Sequence, residues 1–177
     1  MKYSGVSMIY VLSYIQLIFS VHAVATTTLD DAAVFALFDQ ANTADIWTAR
    51  LGVKYGHSED VRQLAKMVAT DHESVQQMGR ALANKLGIIP SPPVGDSTAQ
   101  ALAKSIAELQ AKSGIEFDKA YLRHEIAFHQ SVIDTIKGEL LPAIKNTELK
   151  TLVEKVLPGF QHHLEVTRIT ARKIISP

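Results

Sequence analysis

Three histidines, His72, His129 and His163, each stand alone in an aliphatic stripe of helical period. The first belongs to Val61, Ala65, Val68, His72, Val75, Gly79, Leu82, Leu86. The second belongs to Leu122, Ile126, His129, Ile133, Ile136, Leu140, and the third to Leu149, Val153, Val156, Phe160, His163, Thr167, Ile174. Steps of three and four keep each set on one side of its helix. A fourth stripe, Phe35, Phe38, Asn42, Asp45, Ala49, Gly52, carries Asp45 as its inward carboxylate. Glu125 precedes His129 by one turn, so the two point into the same space. Imidazoles and carboxylates together are transition-metal ligands. Three of the first with one or two of the second suit a single zinc, iron or copper ion. The candidate ligands are therefore His72, His129, His163, Glu125 and Asp45. Any one histidine on an apolar stripe is more often a hydrogen-bonded core residue, and for the whole set the competing reading is a buried polar network that fixes helix register.

The elements that would position these residues are all helical. Spacing of three and four recurs along the chain, and no alternating stretch marks a strand. The first helix is expected over about Leu29 to Tyr55, with Thr28 or Asp30 as N-cap and Gly56 as stop. The second is expected over Glu59 to Leu86, between Ser58 and Gly87. Ile88-Ile89-Pro90-Ser91-Pro92-Pro93-Val94-Gly95 cannot continue a helix, because its prolines lack N–H groups and disfavour helical neighbours. A shorter helix is expected over about Thr98 to Lys112. Two further long helices follow, about Ile115 to Leu141 and Thr147 to Ile175, the last kinked at Pro158-Gly159. Four long amphipathic helices pack as a four-helix bundle, the proline-rich linker and short helix joining its two hairpins. His72, His129, His163 and Asp45 all fall near the middles of their helices. They therefore share one height whichever way the helices run, as a metal site inside a bundle requires.

Composition narrows the function further. The 177 residues suit one domain, and 18 Lys+Arg balance 18 Asp+Glu, which argues against a nucleic-acid partner. With 47% apolar and 20% charged residues the chain is globular. The absence of Cys excludes disulfides, iron–sulfur clusters, thiolate zinc sites and a lipid-anchor cysteine, and it leaves His-bound zinc untouched. Lys2, the apolar run Val6 to Val21 and the small-residue site Val21-His22-Ala23 form the three-part pattern of a secretory signal over residues 1–23. A retained membrane anchor is the competing reading. The bundle domain then occupies 29–175, in a periplasmic or extracellular space.

Other conspicuous residues read as structural. Asp71 and Glu73 flank His72, and either could orient its second ring nitrogen, with Glu73 the more suited to a solvated face. His124 reads as surface or as a neighbour of the site beside Tyr121, and His57 as a solvated corner residue. Met67, Met78, Trp47, Phe117 and Phe128 read as packing.

Asp45-Ile46, Met67-Val68-Ala69-Thr70-Asp71-His72, Phe117-Asp118-Lys119-Ala120-Tyr121 leading to His129, and Leu157-Pro158 leading to His163-Leu164 resemble the domain of unknown function 4142. The resemblance covers about Leu29 to Ala171. It implies a ferritin-like bundle, a secreted bacterial protein and association with the outer membrane, and it implies no particular activity. Family members usually carry Glu where this chain has the shorter Asp45. Di-iron proteins of ferritin-like type use Glu-x-x-His, whereas the residues three before His72, His129 and His163 are Ala69, Ile126 and Phe160. A single-ion site is the better match. The sequence thus supports an exported bundle that binds one transition-metal ion for metal handling or envelope protection. Two alternatives are a metal-free adaptor bundle of the envelope and a mononuclear metalloenzyme acting on peroxide or oxygen.

Overall fold

The computed structural model describes residues 29–175; the signal-peptide reading of 1–23 lies outside them. The described chain is all helical, as the periodicity predicts. Helix α1 spans Asp31–Tyr55 and opens on Asp30, whose carboxylate accepts from the Ala33 N–H at 2.8 Å. Helix α2 spans Glu59–Leu86. Ser58 caps its start, and Gly87 ends it with a left-handed φ of 64° that only a residue without Cβ adopts freely. Helix α3 spans Thr98–Gln110. Helix α4 spans Gly114–Thr135, and α6 spans Thr147–Ile175 with Asn146 accepting from the Glu148 and Leu149 N–H groups.

The expected unbroken helix to Leu141 is corrected: α4 gives way to a π-helical turn at Ile136–Leu140 and a short α5 at Leu141–Ala143. Pro142 has no N–H for the Gly138 carbonyl, and the Leu141 N–H reaches back five residues to Ile136 instead. The wider turn keeps Ile136 and Leu140 both in the core. At Pro158, by contrast, α6 remains helical on both sides.

Side-chain contacts fix the direction of each helix. Lys173 at the end of α6 pairs with Asp60 at the start of α2, and Lys85 at the end of α2 pairs with Glu148 at the start of α6, so these neighbours are antiparallel. Asp118 near the start of α4 is fully buried, and its two oxygens accept from His57 N–H (2.7 Å) and Ser58 N–H (2.8 Å) at the α1–α2 corner. Those amides are donors that no helix satisfies, and they account for a buried carboxylate that no ligand is needed to explain. Because α4 starts beside the end of α1, it runs antiparallel to α1. The linker and α3 are therefore a full-length crossover, with α3 lying across α1 and α4 and Asp96 accepting from Gln40 at 2.8 Å.

The four long helices form a square in the order α1, α2, α6, α4. Two apolar clusters fill it. One, near the start of α1, holds Phe35, Phe38, Ile133, Ile136, Leu149 and Phe160; the other, near its end, holds Ala49, Val61, Ala65, Phe117, Tyr121 and Leu122. Between them lies a polar waist. No helix among the described residues is long and apolar enough to cross a membrane.

Candidate metal centre

The waist gathers the five side chains singled out by spacing. Asp45 comes from α1, His72 from α2, Glu125 and His129 from α4, and His163 from α6, and each is 3% exposed or less. His162 faces outward, so the α6 phase is the expected one. Asp45 Oδ2 lies 2.8 Å from His72 Nε2 and 3.3 Å from His129 Nε2, and His72 Nε2 lies 3.2 Å from His163 Nδ1. The shorter Asp45 therefore reaches both rings.

The outer partners of the three rings decide where their protons sit. Asn42 donates its amide N–H to the Phe38 carbonyl at 2.8 Å, which turns its oxygen toward His72 Nδ1 at 3.0 Å. That oxygen only accepts, so His72 carries its proton on Nδ1 and presents a bare Nε2. His129 Nδ1 donates to the Glu125 main-chain carbonyl at 3.0 Å, which leaves its Nε2 bare. His163 Nε2 donates to the Asp71 carboxylate at 2.9 Å, which leaves Nδ1 bare. With all three rings neutral, three lone pairs and the Asp45 carboxylate face one another, and the 2.8 Å and 3.2 Å separations then call for a proton or a cation between them. Both Asp45 oxygens, Glu125 Oε2 and His129 Nε2 are correspondingly without a hydrogen-bond partner.

Buried acceptors facing acceptors are costly unless a cation or a proton lies between them. Bonds of 2.0–2.1 Å in a tetrahedral zinc site put neighbouring ligand atoms about 3.3 Å apart. The 3.2 Å between His72 and His163 and the 3.3 Å between His129 and Asp45 match that edge, whereas the 2.8 Å between His72 and Asp45 is shorter. His72, His129 and His163 form one group with ligand atoms within 4.8 Å of one another, and Asp45, Glu125 and His129 form a second. The residues present could hold an ion either among the three imidazoles or among Asp45, Glu125 and His129, and Asp45 joins the two groups through its contacts with His72 and His129.

The electrostatics of the waist follow from the same packing. Burial would raise the Asp45 carboxyl, but positive charge on the His72 and His129 rings, when a proton takes the place of a cation among them, outweighs it and holds the group below the ordinary carboxylate range. Burial, reinforced by the Asp45 charge, pushes Glu125 well above its ordinary value. Burial lowers His129, and it lowers His163 to about 4 against the opposing hydrogen bond that His163 donates to Asp71. The buried Tyr121 hydroxyl is raised well above its usual value, first by burial and then by Glu125.

Spacing gives Asn42 and Thr48 no role, and its expectation that Asp71 or Glu73 orients His72 is corrected. Asn42, not an acid beside His72, holds the outer nitrogen of that ring. Asp71 serves His163 across the α2–α6 seam, and Glu73 pairs with Arg50 on the surface. Thr48 Oγ1 sits 3.3 Å from Glu125 Oε1. Asn42 and Thr48 each lie three residues from Asp45 on α1, a spacing that marks them as its neighbours. His124 is half-buried and His57 exposed; Phe117 is core, whereas Trp47, read as packing, is 50% exposed.

No curated protein matches the chain. Among solved structures it is similar to the crystal structure of a DUF305 fragment from Deinococcus radiodurans, with a TM-score of 0.68 at 16% identity, covering 80% of this chain and 95% of that one. At that identity the likeness shows a shared helical fold. The family model for DUF4142, a domain of unknown function, matches residues 19–168, and the chain belongs to that family.

Proposed function

We propose that this DUF4142 protein binds one transition-metal ion, zinc, iron or copper, at the waist of its bundle and serves metal handling or stress protection in the bacterial envelope. The observation that carries the reading is the set of three imidazoles gathered at one buried carboxylate, each with its other ring nitrogen on an acceptor: the Asn42 amide oxygen, the Glu125 main-chain carbonyl and the Asp71 carboxylate. Outer partners of this kind set the tautomer and orientation of metal-bound histidines. A network built only to fix register would place donors against acceptors. Three nitrogens with a neighbouring carboxylate oxygen suit zinc best; Glu125 offers iron a further oxygen.

Four protein ligands close a tetrahedral site, and that favours storage or a structural role over catalysis. The reading as a mononuclear metalloenzyme draws support from one feature, a cleft between α2 and α6 that reaches His72 and His163. The location in the envelope rests on Lys2, the apolar run to Val21 and Val21-His22-Ala23.

The test is metal content and affinity of the protein purified from the periplasm, stripped and titrated with zinc. Wild type should bind one equivalent, and the triple variant His72→Ala, His129→Ala, His163→Ala should bind none at the waist. Loss of a single ligand should weaken binding by about 100-fold or more, one ligand's share of the ~10–16 kcal/mol of a structural zinc site. A wild-type protein that takes up no zinc, iron or copper would leave a metal-free adaptor. Turnover of peroxide or oxygen by the loaded protein would favour the enzyme.

A further inference from the structure

We infer that the cleft between α2 and α6 is the port by which the ion reaches the waist, with Asp71 the carboxylate it meets first; this rests on the metal reading above. The cleft holds about 280 Å³ and is lined by Asp71, His72 and Met78 from α2 and by Lys155, Gly159 and His163 from α6. Two of the ring ligands thus form its floor, whereas Asp45, Glu125 and His129, on α1 and α4, have no exposed surface. Asp71 joins the two environments. Its side chain is 53% exposed, yet its Oδ2 holds the Nε2–H of the buried His163.

That arrangement supplies an order of events. A hydrated cation is drawn to a carboxylate at the mouth. By occupying the Asp71 oxygens it weakens their hold on the His163 N–H, which frees the ring to turn and pass the ion inward. With an ion at the waist, His163 would hold it through Nδ1 while its Nε2–H stays on Asp71.

Gly159 is the second observation. Glycine inside a helix costs stability relative to alanine and usually marks a close approach. Here a Cβ would meet nothing within 4 Å. No neighbour requires the missing side chain, and what it leaves is the width of the cleft. Lys155 on the same rim opposes a cation, which gives the charge of the mouth a testable sign.

The experiment is stopped-flow uptake of Co²⁺ by the metal-free full chain, followed by the visible absorption of the bound ion, with release measured into a chelator. Gly159→Trp fills the cleft and should slow uptake and release alike by about ten-fold or more, leaving the equilibrium affinity unchanged. Gly138→Trp adds the same bulk at an open, exposed position and should leave both rates alone. Asp71→Asn keeps an acceptor for His163 and removes the charge. Uptake should slow several-fold at low salt, the difference fading above about 0.1 M. Lys155→Gln should act in the opposite sense. Should Gly159→Trp fail to fold by circular dichroism, Gly159→Leu and the two charge variants carry the test. Wild-type rates in a folded, Co²⁺-binding Gly159 variant would overturn the port and leave the metal site standing. A wild type that takes up no Co²⁺ would overturn both.

Discussion

Two turns separate the waist from the apolar end beside the α1–α2 corner. Seven residues beyond Asp45 comes Gly52, seven before His72 comes Ala65, and seven before His129 comes Leu122. At the apolar end the stripes close so tightly that a Cβ on Gly52 would lie 2.7 Å from Ala65 Cβ and 2.8 Å from Tyr121 Cζ. Phe117 and Tyr121 stack there with ring centroids 6.1 Å apart. At the waist the same stripes bring together five titratable side chains, with several polar atoms unpartnered. Stability therefore comes from the ends, and the unpartnered polar atoms buried at the waist are a cost to the fold. Tyr121 belongs to both, its ring in the end cluster and its buried hydroxyl raised in pKa by Glu125 as well as by burial.

The largest expected effect belongs to the end. Phe117→Ala should cost about 3–5 kcal/mol in urea unfolding while leaving zinc affinity of the folded protein unchanged. A large loss of zinc affinity would show that the two regions are energetically coupled and would break the comparison.

The next effect separates them by pH. His163 has a folded value of about 4, against 6.5 in the unfolded chain, because burial favours its neutral form. Between those values the unfolded state binds the proton that the folded state refuses. Metal-free stability must therefore fall as pH drops from about 6.5 to 4, by at most about 3 kcal/mol from this group. The raised Glu125 works in the other direction, its cost growing as pH rises above 4.5. His163→Gln removes the first contribution alone. Urea midpoints at pH 7 and 4.5 should differ less in that variant than in the wild type, and an equal difference would place the pH sensitivity elsewhere.

The two regions also differ in how far the sequence betrays them. Periodicity and punctuation suffice for the helices, since Ser58 and Gly87 bound α2 where they should, and the stripes predict which residues are buried. The middle positions of His72, His129, His163 and Asp45 suffice to bring them to one level. Direction is another matter. That α3 is a full-length crossover follows from pairs such as Asp118 with His57 and Ser58, contacts across some sixty residues that no local pattern encodes. The same holds for ring protons. An acid next to His72 in sequence points along α2 toward a neighbouring helix, so Asp71 serves His163, and His72 is held from α1 by Asn42. The π-helical turn escaped because Ile136 and Leu140 keep a helical spacing through it.

Asn42 gives the third prediction. Asn42→Ala removes the acceptor that keeps the proton on His72 Nδ1, and the ring is then free to take the tautomer that blocks Nε2. Zinc affinity should fall about 10–100-fold with no ligand touched. Asn42→Asp restores an acceptor and should recover most of the loss. If Asn42→Ala binds zinc as the wild type does, the tautomer argument fails even where the ligand set survives.

The smallest effect lies on the border between the regions. Thr48 shares one hydroxyl proton between the Ala44 and Asp45 carbonyls and the Glu125 carboxyl. Thr48→Val keeps the shape and removes that partner, leaving Glu125 Oε1 buried and unmet. The metal-free protein should lose about 1 kcal/mol, read from its urea midpoint. With zinc the result depends on where Glu125 points. If Glu125 stays in reserve, the loss persists unchanged in the zinc-bound protein. If it turns onto the ion, its oxygens gain a new partner and the loss shrinks. Thr48→Val measured with and without zinc therefore reports whether the centre has four ligands or five, and whether the waist ends at Asp45 or extends to Glu125.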